Sequence, residues 1–264
     1  MTTSRLLDMR ECRDEPFRSI HREMQRIDLE RQPAWFRPLL VRSRRLKRWT
    51  GFEHWSRAWE YPWAVLAADL GDRPLRVADV GGGGSPFAHY LARHGHEAHV
   101  VDPSLDQGSS FVFDPARGPY RNLRSLAKRL LFGALGIRSL WGLPPPHGSA
   151  PLRYHAAGAE SLPFPDGHLD RVFCLSVIEH IPRHLWASCM REFERVVRPG
   201  GRLILTLDME TSDANDRLYA RLIDACTLRL LGDPHFEVPL EPEEQQRRHP
   251  GQWYETIGLA WEKQ

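Results

Sequence analysis

The sequence predicts an α/β protein, with a mostly parallel sheet, helices packed on both its faces, and a helical segment ahead of it. Three observations carry this expectation. From residue 74 onward, short apolar runs alternate with stretches of helical periodicity, the pattern of βαβ crossovers. The first run, PLRVADV, leads directly into four glycines at 81–84 and then into FAHYLARHG, so a glycine loop joins a strand to a helix. The 264-residue chain is 41% hydrophobic and 27% charged, which is enough length and apolar content for one substantial core.

In chain order, residues 1–70 read as a helical cap. In EPFRSIHREMQRIDLER the residues Phe17, Ile20, Met24 and Ile27 recur at steps of three and four and share one helix face. AWFRPLLVRSRRLKRW mixes apolar positions with the basic run Arg42, Arg44, Arg45, Lys47 and Arg48. Within WTGFEHWSRAWEYPWAVLAADLG, Pro62 is expected to open a fresh helix, since proline suits a first turn and not an interior. Gly71 is placed to end that helix.

Residues 71–264 then read as the ligand-binding domain. Strands are expected at 74–80, 96–102, 152–157, 170–176 and 201–208. RHLWASCMREFERVVRPGG forms a helix with Leu185, Met190, Phe193, Val196 and Val197 on one face, closed by Pro199, Gly200 and Gly201. The tail adds an amphipathic helix near 213–230, with HFEVPL and WYETIGLAWE as closing strands. Between the second and third strands lies an insertion at about 103–151, which contains a basic amphipathic helix spanning 120–142. Extra chain there sits beside the carboxyl edge of the sheet, where open α/β folds bind ligands.

The charge balance narrows the partners. A net charge of +2 does not call for a polyanion, so nucleic acid is not favoured. The basic runs leave a peripheral membrane contact through the 120–142 helix open. The sequence has no run of about 18 apolar residues, so no transmembrane segment is expected. Cys12, Cys174, Cys189 and Cys226 form no CxxC or Cys/His pairing, so neither a zinc site nor a disulfide framework is expected. No metal is assigned, and a cytoplasmic location follows from the reducing chemistry. Oligomeric state is not legible.

The glycine loop carries the chemistry. A dinucleotide site wants G-x-G-x-x-G, but position 86 is Pro86, and no G-x-x-x-x-G-K-[ST] phosphate loop occurs. What is present is Asp79-x-Gly81-x-Gly83, followed by an acid at the end of the next strand, Asp102. An acid there can accept both hydrogen bonds of a ribose diol, and Asp79 can face an ammonium group. A ligand with a ribose and an amino-acid end but no phosphate fits this set: S-adenosylmethionine.

At this point the chain resembles the class I S-adenosylmethionine-dependent methyltransferases, over about residues 62 to 208. AGAESLPFPDGHLDRVFCLSVIEHI (157–181) is similar to that superfamily's adenine-side loop and fourth-strand motif, and VVRPGGRLIL (196–205) to its fifth-strand motif. The resemblance implies a Rossmann-like, seven-stranded, mostly parallel sheet and S-adenosylmethionine as cofactor. It implies that Asp79, Gly81 and Gly83 contact the methionine part, that Asp102 holds the ribose, that Ala159 and Glu160 flank the adenine, and that Ser176 lies under the sulfonium. Two positions depart from the family pattern: Ser85 replaces the third glycine, and Gly158 stands where an acid often reads the adenine amine.

The implied reaction is methyl transfer to an oxygen or nitrogen of a small molecule, in secondary metabolism. His180 is the candidate general base. Among the crowded N-terminal aromatics, Tyr61 and Trp63 are the candidates for a lid over the sulfonium. Two competing readings stand beside it. One is cyclisation or transfer of the cofactor's aminobutyryl chain, releasing methylthioadenosine; the other is a non-catalytic scaffold on the same fold.

Overall fold

Five parallel strands form the body of the sheet in the computed structural model, which describes residues 3–50, 52, 54–105, 131–132, 134–137, 152–210, 217–233, 235–236, 238 and 241–264. They are β2 (Arg76–Val80), β3 (Glu97–Val101), β4 (Leu152–His155), β5 (Leu169–Leu175) and β6 (Val197–Met209). Three further strands finish one side: β8 (Glu255–Glu262), and the two-residue strands β1 (Arg5–Leu6) and β7 (Arg229–Leu230). The spatial order is β1-β8-β6-β5-β2-β3-β4, with β7 also paired to β8. β8 runs antiparallel to β6, and β1 and β7 run antiparallel to β8. The two short strands thus cover successive stretches of the outer edge of β8, an edge that would otherwise present unpaired backbone groups.

The central strands are rich in apolar residues because both faces are covered. Every residue of β5 is buried, and its alternate positions feed two separate cores. Val172 and Cys174 join Leu203, Leu205, Leu207 and Trp261 on one face. There they meet α6 (Trp186–Val196) and α7 (Leu218–Ala225). Phe173 and Leu175 join Val77, Val100 and Ile204 on the other face, against α1 (Phe17–Glu30), α4 (Arg57–Ala68) and α5 (Phe87–Arg93). The remaining helices are α2 (Arg37–Arg42), α3 (Arg44–Thr50) and α8 (Pro242–Arg248).

Three sequence expectations are corrected. Pro62 does not open a helix: it lies inside α4, which starts at Arg57. The missing proline N–H costs one helical bond, but Trp59, Tyr61, Trp63, Ala64, Ala67 and Ala68 are all buried, and that burial keeps the helix continuous. His235, Phe236 and Val238 of HFEVPL are not in a strand; the second closing strand is Arg229–Leu230. The tail helix near 213–230 is shorter, Leu218–Ala225. The basic helix expected at 120–142 lies outside the described residues except at 131–132 and 134–137.

The order of the strands fixes where a ligand belongs. β2 has β3 on one side and β5 on the other. The chain proceeds outward from β2 to β3 and β4, then returns to the opposite side with β5. The carboxyl end of β2 therefore lies at a topological switch point, where the loops after β2 and β5 part and leave a crevice.

Candidate functional site

Three acids end three of the parallel strands on the same edge: Asp79 within β2, Asp102 just after β3, and Asp208 within β6. Together with the loops after β2 and β5 they line a cavity of about 480 Å³, a size within the usual range for small-molecule sites. Its lining brings together Tyr61, Asp79, Gly81, Asp102, Ser176 and His180, all named from the sequence.

The glycine loop is pressed onto two of these carboxylates. A Cβ at Gly82 would sit 2.1 Å from Asp79 Oδ2, and one at Gly83 would sit 2.7 Å from Asp102 Oδ2. Gly81 has φ +77°, and a Cβ there would meet the Val177 methyls at 2.5 Å. Only glycine gives this approach, since it tolerates a left-handed backbone and carries no side chain. The Gly81 N–H donates to the Val101 carbonyl at 2.7 Å, which fixes the loop to the end of β3.

Asp79 is buried, and burial pushes its carboxyl up to about 7; the Ser85 hydroxyl, 3.3 Å from Oδ2, opposes the shift. Ser85, which replaces the third glycine, thus serves as a donor to the first acid of the motif. Asp102 uses Oδ1 to accept from the Ser104 N–H at 2.8 Å and the Ser104 hydroxyl at 2.6 Å. Those bonds aim the carboxylate while Oδ2 stays against the glycine loop.

A second layer comes from α4, the cap helix from which the sequence reading named only the rings of Tyr61 and Trp63. Glu60 is fully buried and accepts from the Ser176 hydroxyl at 2.6 Å, from the Thr206 hydroxyl and from Arg57 Nη1. Ser176 sits at φ +48°, and its N–H donates to the Thr206 carbonyl at 3.0 Å. A serine in the left-handed region is strained, and the Glu60 bond helps hold it there. The Arg57 guanidinium lies 5.3 Å from the centroid of the Tyr61 ring, a cation–π distance. One face of the Tyr61 ring therefore carries Arg57. Arg57 Nε is buried without a hydrogen-bond partner.

The cavity's far wall is acidic and aromatic. Asp208 accepts from the Thr256 hydroxyl at 2.7 Å, and its N–H donates to Glu179 Oε1 at 3.0 Å. Burial raises both carboxyls well above the carboxylate range; the charge of Asp208 raises Glu179 further, and that of Glu60 raises Asp208. Tyr254 accepts from Trp55 Nε1 at 2.8 Å and stands 3.4 Å from His54 Nε2. Burial lowers His54 to about 4, with Arg57 adding to the effect, so its ring is neutral at physiological pH. His180 stands exposed at the mouth.

Three sequence candidates lie elsewhere. Ala159 is buried in the core beneath the sheet, and Glu160 is exposed with its carboxylate against Gly158; neither lines the cavity's described wall. Trp63 is fully buried, stacked on Trp59 at 5.4 Å and pressed onto Gly258 of β8. Sequence reasoning missed Arg57, Glu60, Asp208 and Tyr254. Two of them had a visible signal: Glu60 is a lone acid amid RAWEYPW, and Asp208 ends its strand as Asp79 and Asp102 end theirs.

Comparison with known proteins adds to this geometry. Residues 142–205 match a family described as a methyltransferase domain. The chain is 34% identical over 74 residues to a ubiquinone/menaquinone biosynthesis C-methyltransferase of Azotobacter vinelandii, covering 28% of this chain and 27% of that one. It is 31% identical over 80 residues to a sarcosine/dimethylglycine N-methyltransferase of Halorhodospira halochloris, covering 30% and 28%. These matches span little more than a quarter of the relatives' lengths. Among solved structures, the 1,6-didemethyltoxoflavin-N1-methyltransferase of Burkholderia thailandensis, bound to its substrate and S-adenosylhomocysteine, aligns over 76% of both chains at 17% identity and a TM-score of 0.45.

Proposed function

We propose that this chain, a member of the class I S-adenosylmethionine-dependent methyltransferase superfamily, moves a methyl group from that cofactor to an oxygen or nitrogen of a small molecule in secondary metabolism. The observation that carries the reading is the pair of strand-end carboxylates, Asp79 and Asp102, each in contact with the glycine loop on the cavity wall.

The residues present suit the cofactor end by end. Asp102 keeps Oδ2 for the ribose diol. Asp79, raised by burial, gains most from a cationic partner, so it holds the ammonium in its ionised form. Arg57 Nε provides the donor that a carboxylate needs, and Glu60 and the Tyr61 ring hold Arg57 in place. When bound, S-adenosylmethionine supplies an activated methyl on its sulfonium.

The chain's remaining task is to place the acceptor in line and take its proton, and positioning supplies much of such a rate. Leu175, Val177, His54 and Tyr254 bound the acceptor side of the cavity. His180 takes the acceptor's proton at the mouth. Residues 1–70 act as the cap: their last helix brings Arg57, Glu60 and Tyr61 to the site. Among the described residues no helix is long and apolar enough to cross a membrane, and the four cysteines are free thiols. We place the protein in the cytoplasm.

The test is to incubate the protein with S-adenosylmethionine and a panel of small amines, phenols and carboxylic acids, then read products by mass spectrometry. Acceptor-dependent S-adenosylhomocysteine, lost in His180→Ala, is the expected result. Methylthioadenosine without S-adenosylhomocysteine would overturn it.

A further inference from the structure

The large apolar side chains that face solvent are concentrated in one place. Six are exposed among the described residues, and five belong to a single unit: Trp35 at 52%, Leu39 at 51%, Val41 at 50%, Leu131 at 48% and Leu135 at 41%. Beneath them Phe36, Leu40, Phe132 and Ile137 form a small separate core, with Leu29, Leu46 and Phe52 packed against it. α2 is thus apolar on two sides, and only one side is buried. An ordinary surface helix exposes its polar face; a clustered apolar exposure marks an interaction surface.

The charge of the same unit selects the partner. From Pro33 to Phe52 the sequence holds six cations, Arg37, Arg42, Arg44, Arg45, Lys47 and Arg48, and no acid. Arg42, Arg44, Arg45 and Arg48 are exposed. Tryptophan, leucine and valine flanked by arginines suit the boundary between anionic headgroups and acyl chains, where apolar side chains enter and cations stay at the headgroups. A nucleic acid would use the arginines and leave the apolar side chains in water.

We propose that the α2–α3 unit, together with the exposed Leu131 and Leu135, docks this protein on the surface of a bilayer rich in anionic lipid. The docking lies beyond methyl transfer and does not depend on it. It has a structural link to the site, however. Phe52, on the inner side of the unit, lines a small cavity with Met24, Arg57 and Tyr61, and the last two also line the main cavity. An amphiphilic acceptor held in the membrane would reach the site from this side.

The experiment is co-sedimentation of the full chain with phosphatidylcholine vesicles carrying either no phosphatidylserine or 30% phosphatidylserine (about a third of the lipid, in the manner of an anionic leaflet). Two variants accompany wild type: Arg42→Glu/Arg44→Glu/Arg45→Glu/Arg48→Glu, and Trp35→Ser/Leu39→Ser/Val41→Ser. All seven positions lie outside the core, so thermal melting should match wild type and serves as the folding control. Wild type should bind the anionic vesicles and release with rising salt. At about fivefold per cation, the charge variant should lose at least a hundredfold in partitioning, and the apolar variant at least tenfold. Equal binding to neutral and anionic vesicles would overturn the proposal. So would a dimer in sedimentation velocity that the apolar variant abolishes while vesicle binding is absent, since the patch would then serve a second copy of the chain.

Discussion

At pH 8 the buried Asp79 carboxylate carries a charge that Ser85 and Arg57 only partly compensate. Asn at this position keeps the shape and removes the charge. Raising Asp79 from its ordinary 3.8 to about 7 corresponds to about 4 kcal/mol of preference for the protonated form. The unfolded chain ionises near 3.8 and the folded chain near 7, so between those values the folded state holds the extra proton. Folding stability from this group therefore falls as pH rises through that window. Asp79→Asn lifts the penalty, and its melting temperature should pull ahead of wild type as pH rises from 5 to 8.

Binding runs the other way. The cofactor's ammonium favours ionised Asp79, so below pH 7 each ligand bound must displace a proton. Wild-type affinity for S-adenosylhomocysteine should weaken by about 25-fold between pH 7.5 and 5.5, close to tenfold per pH unit at the acid end. Calorimetric titration across that range gives the profile, and Asp79→Asn should give a flat line near the wild-type acid limit. Glu179 and Asp208 are also raised by burial and remain in both proteins. Parallel wild-type and Asp79→Asn profiles would therefore refute the assignment.

Further outcomes follow from the same geometry. Glu60→Ala leaves the Arg57 guanidinium buried without its carboxylate, and should cost about 3–5 kcal/mol in urea denaturation. Gly81→Ala must adopt φ +77° with a Cβ 2.5 Å from Val177; it should lose about 2 kcal/mol of stability and bind S-adenosylhomocysteine more weakly while retaining a native circular dichroism spectrum. Tyr254→Phe removes the acceptor for Trp55 Nε1, costing about 1 kcal/mol, and should leave S-adenosylhomocysteine affinity within about twofold, because Tyr254 belongs to the acceptor side.

The parts of the fold that could be read in advance are those where burial dictates composition. β2, β3, β5 and β6 are covered on both faces, so apolar runs such as VFCL and LIL stand out whatever their neighbours. α6 is legible for the opposite reason: it packs on one face only, and Met190, Phe193 and Val196 keep the helical period. Elements whose existence depends on a distant partner were not legible. Arg5–Leu6 is a strand only because β8 offers its edge 250 residues later, and two residues carry no period. Pro62 misled because local propensity points to a helix start, whereas the packed face of α4 carries the helix through it.

The site divides along the same line. Asp79, the glycines and Asp102 could be found because a close backbone approach demands glycine and each acid ends a strand. Glu60 and Arg57 were hidden because they act from a helix some twenty residues before β2, and only the fold brings that helix under Ser176. The aromatic crowd at 49–63 drew attention to rings, but Trp59 and Trp63 are core. The consequential residues in that stretch are the charged pair between the rings.

The central claim is that the glycine loop and Asp102 hold an adenosyl ligand, and titration calorimetry of S-adenosylhomocysteine against wild type and Asp102→Ala tests it most directly. Asp102 Oδ2 gives the ribose a charged acceptor worth about 1.5–3 kcal/mol. The prediction is micromolar wild-type binding, weakened at least tenfold in the variant, with folding intact. No heat of binding to wild type, or equal affinity in both proteins, would contradict it.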